Sequence, residues 1–260
     1  MKAKGGSCVL DSASAATLNG ACAPKRANGA AESRAALLRG GGGFGIIYGA
    51  MDIVILLGAP GSGKGTVAGK LAADNANLSH VSSGDLLREA IAKGTAAGLE
   101  AKGYMEKGEL VPDALIAAMI KDVVSATTGD KTMLLDGFPR NLAQAEILAQ
   151  MGVSVRAAVL IDVPDDIILG RILGRRTCPN CKAGYHVTNL PPKVEGICDK
   201  CGTRLTIRKD DNPDTVQDRL AVYHRQTEPL IEYYGAKGIL RKVDGNADIE
   251  VVAKAFMEQL

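Results

Sequence analysis

From Met51 onward the chain alternates short apolar runs with longer stretches of helical composition. Ile53–Leu57, a short His80–Ser82, Thr132–Leu135, Ala157–Asp162 and Ile239–Val243 read as strands, rich in β-branched and aliphatic residues and bounded by turn formers. Helices are predicted near Thr66–Asn75, Gly84–Lys93, Ala97–Lys107, Asp113–Ser125, Asn141–Met151, Pro164–Leu173, Thr215–Tyr234 and Asp248–Glu258. That alternation predicts an α/β fold, a parallel sheet flanked by helices. Such a sheet carries its ligand site at the carboxyl ends of its strands.

The first strand sharpens this picture. Asp52–Thr66 reads DIVILLGAPGSGKGT: an apolar strand, a glycine-rich loop with Lys64, then a helix. This is the context of a phosphate-binding P-loop, in which backbone N–H groups and the helix N-terminus meet phosphate oxygens and the lysine supplies a point charge. Gly61, Ser62, Gly63, Lys64, Gly65 and Thr66 are the residues placed to do so. Gly65 stands where the general motif has Ser or Thr, and the hydroxyl follows at Thr66. The competing reading is a glycine-rich turn that binds nothing.

One stretch, Leu173–Asp211, interrupts the alternation. It holds Cys178-Pro-Asn-Cys181 and Cys198-Asp-Lys-Cys201. Two C-x2-C knuckles at this separation have the spacing of a structural zinc site, whose four thiolates leave no open coordination position. Disulfide pairing is the alternative, though no secretory signal supports an oxidising compartment. Cys8 and Cys22 read as incidental thiols.

Composition alters the picture mainly at the N-terminus. The chain has 260 residues, 46% hydrophobic and 23% charged, with net charge +2, which is ordinary for a globular protein and by itself speaks neither for nor against a nucleic-acid partner. Residues 1–50 are Ala-, Gly- and Ser-rich with GGGG at Gly40–Gly43, and carry six basic residues against Asp11 and Glu32. They read as a disordered leader, with Met51 the real start or, alternatively, with the leader an organellar transit peptide. A cytoplasmic location goes with the first reading and an organellar one with the second. No apolar run approaches the ~18 residues of a membrane span.

The polar residues after the strands suit phosphoryl transfer, which needs positioning and positive charge more than covalent chemistry. Asp136 ends the run MLLD, where a carboxylate holds magnesium through water or, alternatively, caps the turn at Gly137. Arg88, Arg140, Arg171, Arg175, Arg208 and Arg219 are candidate phosphate clamps, although each alone reads equally as a solvated surface arginine. His80, His186 and His224 lack a partner pattern and read as structural.

Taken together, GAPGSGKGT (58–66), SSGDLLR (82–88), GELVPD (108–113), LLDGFPRNLAQAE (134–146), GRILGRR (170–176), YHVTNLPPKVEG (185–196) and IRKDDNPDTVQDRL (207–220) resemble the adenylate kinases of the long-lid, zinc-containing type. The resemblance spans residues 51–260. It implies a P-loop core (51–81, 112–173 and 212–260), a helical AMP-binding flap (82–111) and a zinc-binding lid (174–211). It further implies that Arg171, Lys242 and Val243 border the ATP adenine. Ser83, Arg88, Glu109, Leu110, Val111, Gly137, Arg140, Gln144, Arg208 and Arg219 would bind AMP. Lys64, Asp136, Arg140, Arg175, Arg208 and Arg219 would carry catalysis. Asp210 and Asp211 would help close the lid, and Asp85 with Asp136 would organise Mg2+ through water. The implied reaction is ATP + AMP ⇌ 2 ADP by a monomer with small-molecule partners, no nucleic acid and no membrane. The alternatives are another nucleoside-monophosphate kinase, for UMP or CMP, and a nonenzymatic nucleotide- or nucleic-acid-binding module.

Overall fold

The computed structural model describes residues 51–127 and 131–260; the leader, with Cys8 and Cys22, lies outside the described residues. The elements run β1 (Asp52–Leu57), α1 (Lys64–Asp74), β2 (Leu78–Ser82), α2 (Ser83–Ala92), α3 (Ala96–Glu106), α4 (Asp113–Ala126), β3 (Thr132–Asp136) and α5 (Leu142–Gln150). They continue as β4 (Ser154–Asp162), α6 (Asp165–Leu173), β5 (Arg175–Thr177), β6 (Gly184–His186), α7 (Pro213–Val222), α8 (Pro229–Ala236), β7 (Leu240–Asp244) and α9 (Ile249–Met257).

Among the described residues the main sheet has five parallel strands in the order β2-β3-β1-β4-β7. β1 is central because nothing in Ile53–Leu57 wants water: all five side chains are buried. They alternate between two cores. Ile53, Ile55 and Leu57 pack with Ile116 and Ile120 of α4, Leu148 of α5 and Leu230 of α8. Val54 and Leu56 pack on the other face with Val67 and Leu71 of α1, Ile168 and Ile172 of α6, and Phe256 of α9. The connection from β1 leads toward β2, whereas that from β3 crosses to β4 on the opposite side of β1. Loops leaving adjacent strands in opposite directions open a crevice at the carboxyl ends of β1 and β3, the place where open α/β sheets bind ligands.

Two predicted elements differ. The helix expected over Thr215–Tyr234 is broken into α7, a π-helical turn at Tyr223–Thr227, and α8. Pro229 cannot donate to a preceding carbonyl. The chain instead widens, so that Glu228 N–H reaches back five residues to Tyr223 O at 2.9 Å. The cysteine-bearing stretch, predicted only as an interruption, contains the antiparallel pair β5–β6 and a small core of its own: Cys178, Tyr185, Cys198 and Leu205. No helix among the described residues is long and apolar enough to cross a membrane.

α9 makes the packing claim testable. Phe256 is wholly buried, whereas Val251 on the same helix is 57% exposed. Phe256→Ala is expected to lower unfolding free energy by about 3–5 kcal/mol, and Val251→Ala to change it by less than about 0.5 kcal/mol, in urea titrations followed by circular dichroism.

Candidate active site

The loop after β1 is shaped by close backbone approach. Gly58 has φ +138°, and a Cβ there would stand 2.6 Å from the Ile161 carbonyl oxygen, so only glycine fits. Gly63 leads directly into α1, whose first residues, Lys64–Thr66, line the crevice, and no side chain among the described residues caps the helix there. Lys64 folds back over the loop and donates to Gly58 O and Ala59 O at 2.8 Å each, and to Ser62 Oγ at 3.3 Å. Burial lowers its pKa to about 8, an effect that nearby Asp136 opposes and that Arg140, Arg219 and Arg175 reinforce.

Asp136 closes β3 beside this loop. Burial by itself raises its pKa, but His80 and the Lys64 ammonium outweigh that and leave the carboxyl below its ordinary value. His80 Nε2 lies 3.6 Å from Asp136 Oδ2, too far for a hydrogen bond, and this buried nitrogen has no other partner among the described residues. His80 therefore belongs to the crevice wall, which its sequence context did not reveal. The register does: β2 and β3 run level, with His80 opposite Leu134 and Ser82 opposite Asp136.

The predicted arginines converge. Arg88, Arg140, Arg171, Arg175, Arg208 and Arg219 all line one crevice of about 1170 Å³, together with Gly61–Thr66, Asp85, Asp136 and Gly137. Its far wall is the cysteine-bearing segment, including Lys182, Gly184 and Tyr185. Burial lowers the Arg140 guanidinium to about 10, and repulsion from Arg219 adds to it. Arg208 is likewise lowered to about 10, by burial and then by Arg88 and Arg175. Neither of these two has a carboxylate bonded to it among the described residues: Arg140 Nε donates to Gly137 O at 2.8 Å and Arg208 Nε to Thr177 Oγ1 at 3.1 Å.

Three of the others, Arg175, Arg219 and Arg88, hold acidic partners. Arg175 donates twice to Asp211, with Nε at 2.8 Å from Oδ2 and Nη2 on Oδ1. Arg219 Nη1 donates to Asp210 Oδ2 at 2.9 Å. Arg88 is bound through Nε and Nη2 to Asp85 Oδ1, at 3.2 and 2.7 Å. Asp85 is thus committed to an arginine rather than standing free beside Asp136.

A second, smaller cavity of about 60 Å³ is lined by Ser83, Glu109, Leu110, Val111 and Gln144. It shares Arg88, Gly137, Arg140 and Arg219 with the crevice. Gly137 is essential to this junction: its φ is +76°, and a Cβ would come within 2.6 Å of Ser83 Oγ, which donates to Gly137 O at 2.7 Å. Thr227 of the π-helical turn supports it from behind, donating to Arg140 O at 2.7 Å.

Lys242 and Val243 do not reach the crevice. They lie inside β7, in register with Leu160 and Ile161, and Val243 points into the core. The chain meets the crevice only after β7 ends, at Gly245, Asn246 and Ala247, and Arg171 Nη1 donates to Gly245 O at 2.9 Å. In the far wall, the sulfurs of Cys178, Cys181, Cys198 and Cys201 lie within 4.8 Å of one another, with Cys178–Cys201 at 3.4 Å and Cys181–Cys198 at 3.5 Å. A tetrahedral ion with metal–sulfur distances of about 2.3 Å separates its sulfurs by about 3.8 Å. The cysteine set fits such an ion.

Comparison with known proteins agrees with this geometry. The adenylate kinase family model matches residues 56–239. The chain is 49% identical over 211 residues to the adenylate kinase of Lachnospira eligens, covering 80% of this chain and 99% of that protein. It is 49% identical over 203 residues to that of Clostridium acetobutylicum, covering 76% and 94% respectively. Against the adenylate kinase of Archaeoglobus fulgidus, identity is 48% over 214 residues, covering 80% of this chain and 98% of the relative. A P-loop, a crowd of arginines and an adjoining second cavity, carried on a chain this similar along its matched length, have one source: the chain belongs to the adenylate kinase family.

Proposed function

We propose that the chain transfers the γ-phosphoryl group of ATP to AMP, ATP + AMP ⇌ 2 ADP. The observation that carries this reading is the pair of cavities sharing one wall of arginines, the larger over the P-loop and the smaller ending on Gln144. The triphosphate would lie over Gly61–Thr66, with its adenine against Arg171 and the backbone at Gly245–Ala247. AMP would enter the smaller cavity, its base beside Glu109–Val111 and Gln144 and its phosphate on Arg88 and Arg140. Residues 82–111 then act as a flap and 174–211 as a lid over the core.

In-line transfer on this frame needs no covalent intermediate and no general base. The AMP phosphate, with a second pKa of about 6, is already largely dianionic at neutral pH. Its oxygen attacks the γ-phosphorus and ADP leaves. Lys64, Arg140, Arg175, Arg208 and Arg219 would meet the charge on the transferring oxygens, where burial strengthens each contact. Asp136, joined by Asp85 once a phosphate draws Arg88 away from it, would hold magnesium through water, and the ion would supply positive charge to the phosphates. The lid excludes water, which would otherwise accept the phosphoryl group. Cys178, Cys181, Cys198 and Cys201 would hold zinc as a structural brace of that lid, with no chemical step at the metal.

Three outcomes are expected. In a coupled assay offered AMP, UMP, CMP and GMP, AMP should be the preferred acceptor, and Lys64→Met should lower kcat on the order of 10³-fold or more; preference for UMP or full activity without Lys64 would end this reading. Freshly purified protein should contain zinc, and Cys178→Ser should lose it together with a lower melting temperature, read by metal analysis and calorimetry. Lys64 supplies the third. Above about pH 8 its amine in the free protein is increasingly neutral, and phosphate oxygens favour the ammonium, so ATP binding should take up a proton at about pH 9 and much less near pH 7. Titration calorimetry in two buffers of different ionisation enthalpy reads this uptake, which should vanish in Lys64→Met.

A further inference from the structure

Which purine the smaller cavity can read depends on which way round the Gln144 amide points. Gln144 is buried, on the first turn of α5. Its Oε1 accepts from the Arg140 backbone N–H at 2.7 Å, and its Nε2 donates to Asp113 Oδ1 at 2.7 Å. Asp113 Oδ1 also accepts from Asn141 Nδ2 at 2.9 Å, while Asn141 Oδ1 accepts from the Gln144 backbone N–H at 2.8 Å and so caps α5. Each bond in this network has a partner that works in one direction only. A backbone N–H can only donate, and a carboxylate can only accept. Turning the Gln144 amide over would set its NH2 group against the Arg140 N–H and its oxygen against the Asp113 carboxylate.

An amide carries two N–H donors and an oxygen with two lone pairs. One of each is used within the protein. The other pair remains for a ligand, an acceptor at Oε1 beside a donor at Nε2. That edge matches adenine, whose 6-amino group donates and whose adjacent ring nitrogen accepts. A 6-oxo purine reverses both groups on its N1 edge: O6 accepts and N1–H donates. With the amide fixed, it meets acceptor against acceptor and donor against donor. Asp113 lines neither cavity, so its influence passes through Gln144.

We propose that Asp113 is a positioning residue that sets base selection, holding Gln144 in the orientation that accepts a 6-amino purine monophosphate and rejects a 6-oxo one. The assignment rests on the kinase reading above. It differs from a purely structural role, in which Asp113 would only pin the start of α4 to the start of α5.

The test is the acceptor selectivity of the full chain, measured with AMP and IMP at saturating Mg-ATP. Replacing the carboxylate by an amide in Asp113→Asn leaves the Arg140 N–H as the sole one-way partner. The ratio of kcat/KM for IMP to that for AMP should rise about tenfold, the scale of one charge-assisted hydrogen bond, through a higher KM for AMP, with KM for ATP unchanged. In a Gln144→Ala background the same substitution should leave that ratio unmoved. Asp113→Ser, which keeps a residue suited to a helix start, carries the same expectation should Asp113→Asn fail to fold. A wild-type IMP/AMP ratio in a folded Asp113 variant, or an equal loss with both acceptors, overturns the role of Asp113 while leaving the kinase reading intact. Wild-type protein that phosphorylates neither acceptor overturns the kinase reading itself.

Discussion

The crowding of buried positive charge at one crevice is the constraint on which the rest of the structure depends. Lys64, Arg140, Arg208 and Arg219 all lie below their ordinary pKa because burial strips them of water and neighbouring cations repel them. Guanidiniums held this way are costly to the empty fold and favourable to an incoming polyanion. The tension is bearable because the groups come from separately packed elements: Lys64 from α1, Arg140 from the loop after β3, Arg175 from β5, Arg219 from α7. No single loop has to hold them all.

The sheet supplies the rigidity. β1 and β3 are paired in register through Ile53–Leu56 and Met133–Asp136, and their faces are buried in two separate cores. The loops that leave them therefore start from fixed points, which sets the P-loop beside Asp136. The cysteine-bearing segment has its own small core and its own cysteine cluster, separate from the two main cores.

Much of this was legible in the sequence, for physical reasons. β1 announced itself because a strand buried on both faces has to be uniformly apolar, and the P-loop because phosphate approach demands glycine at fixed offsets. The six arginines and the four cysteines picked out of the sequence lie together in the structure, the first around one crevice and the second in one cluster. What escaped depended on three-dimensional register. His80 and Asp136 are fifty-six residues apart and are neighbours only because β2 pairs with β3. The π-helical turn hid inside a helical pattern that Pro229 interrupts without abolishing, yet that widened turn places Thr227 against the Arg140 backbone. The resemblance placed Lys242 and Val243 at the adenine; strand pairing holds them in β7, and the residues that line the crevice there are Gly245–Ala247 just after it. Asp113 ends the GELVPD motif, but nothing in the sequence tied it to the base cavity, which it does not line and meets through its bond to Gln144.

Asp210 and Asp211 give the arginine crowd a second character. Arg175 and Arg219 hold the carboxylates of Asp211 and Asp210, so a phosphate bound by these arginines would exchange one anion for another instead of filling a bare cationic pocket. The exchange runs equally well backwards. When a product loosens, the aspartates are at hand to recapture the arginines, which speeds departure and limits how tightly any single anion can be retained. A site that binds charge through borrowed partners trades grip for traffic, and that suits an enzyme whose two products are identical and whose reaction runs in both directions.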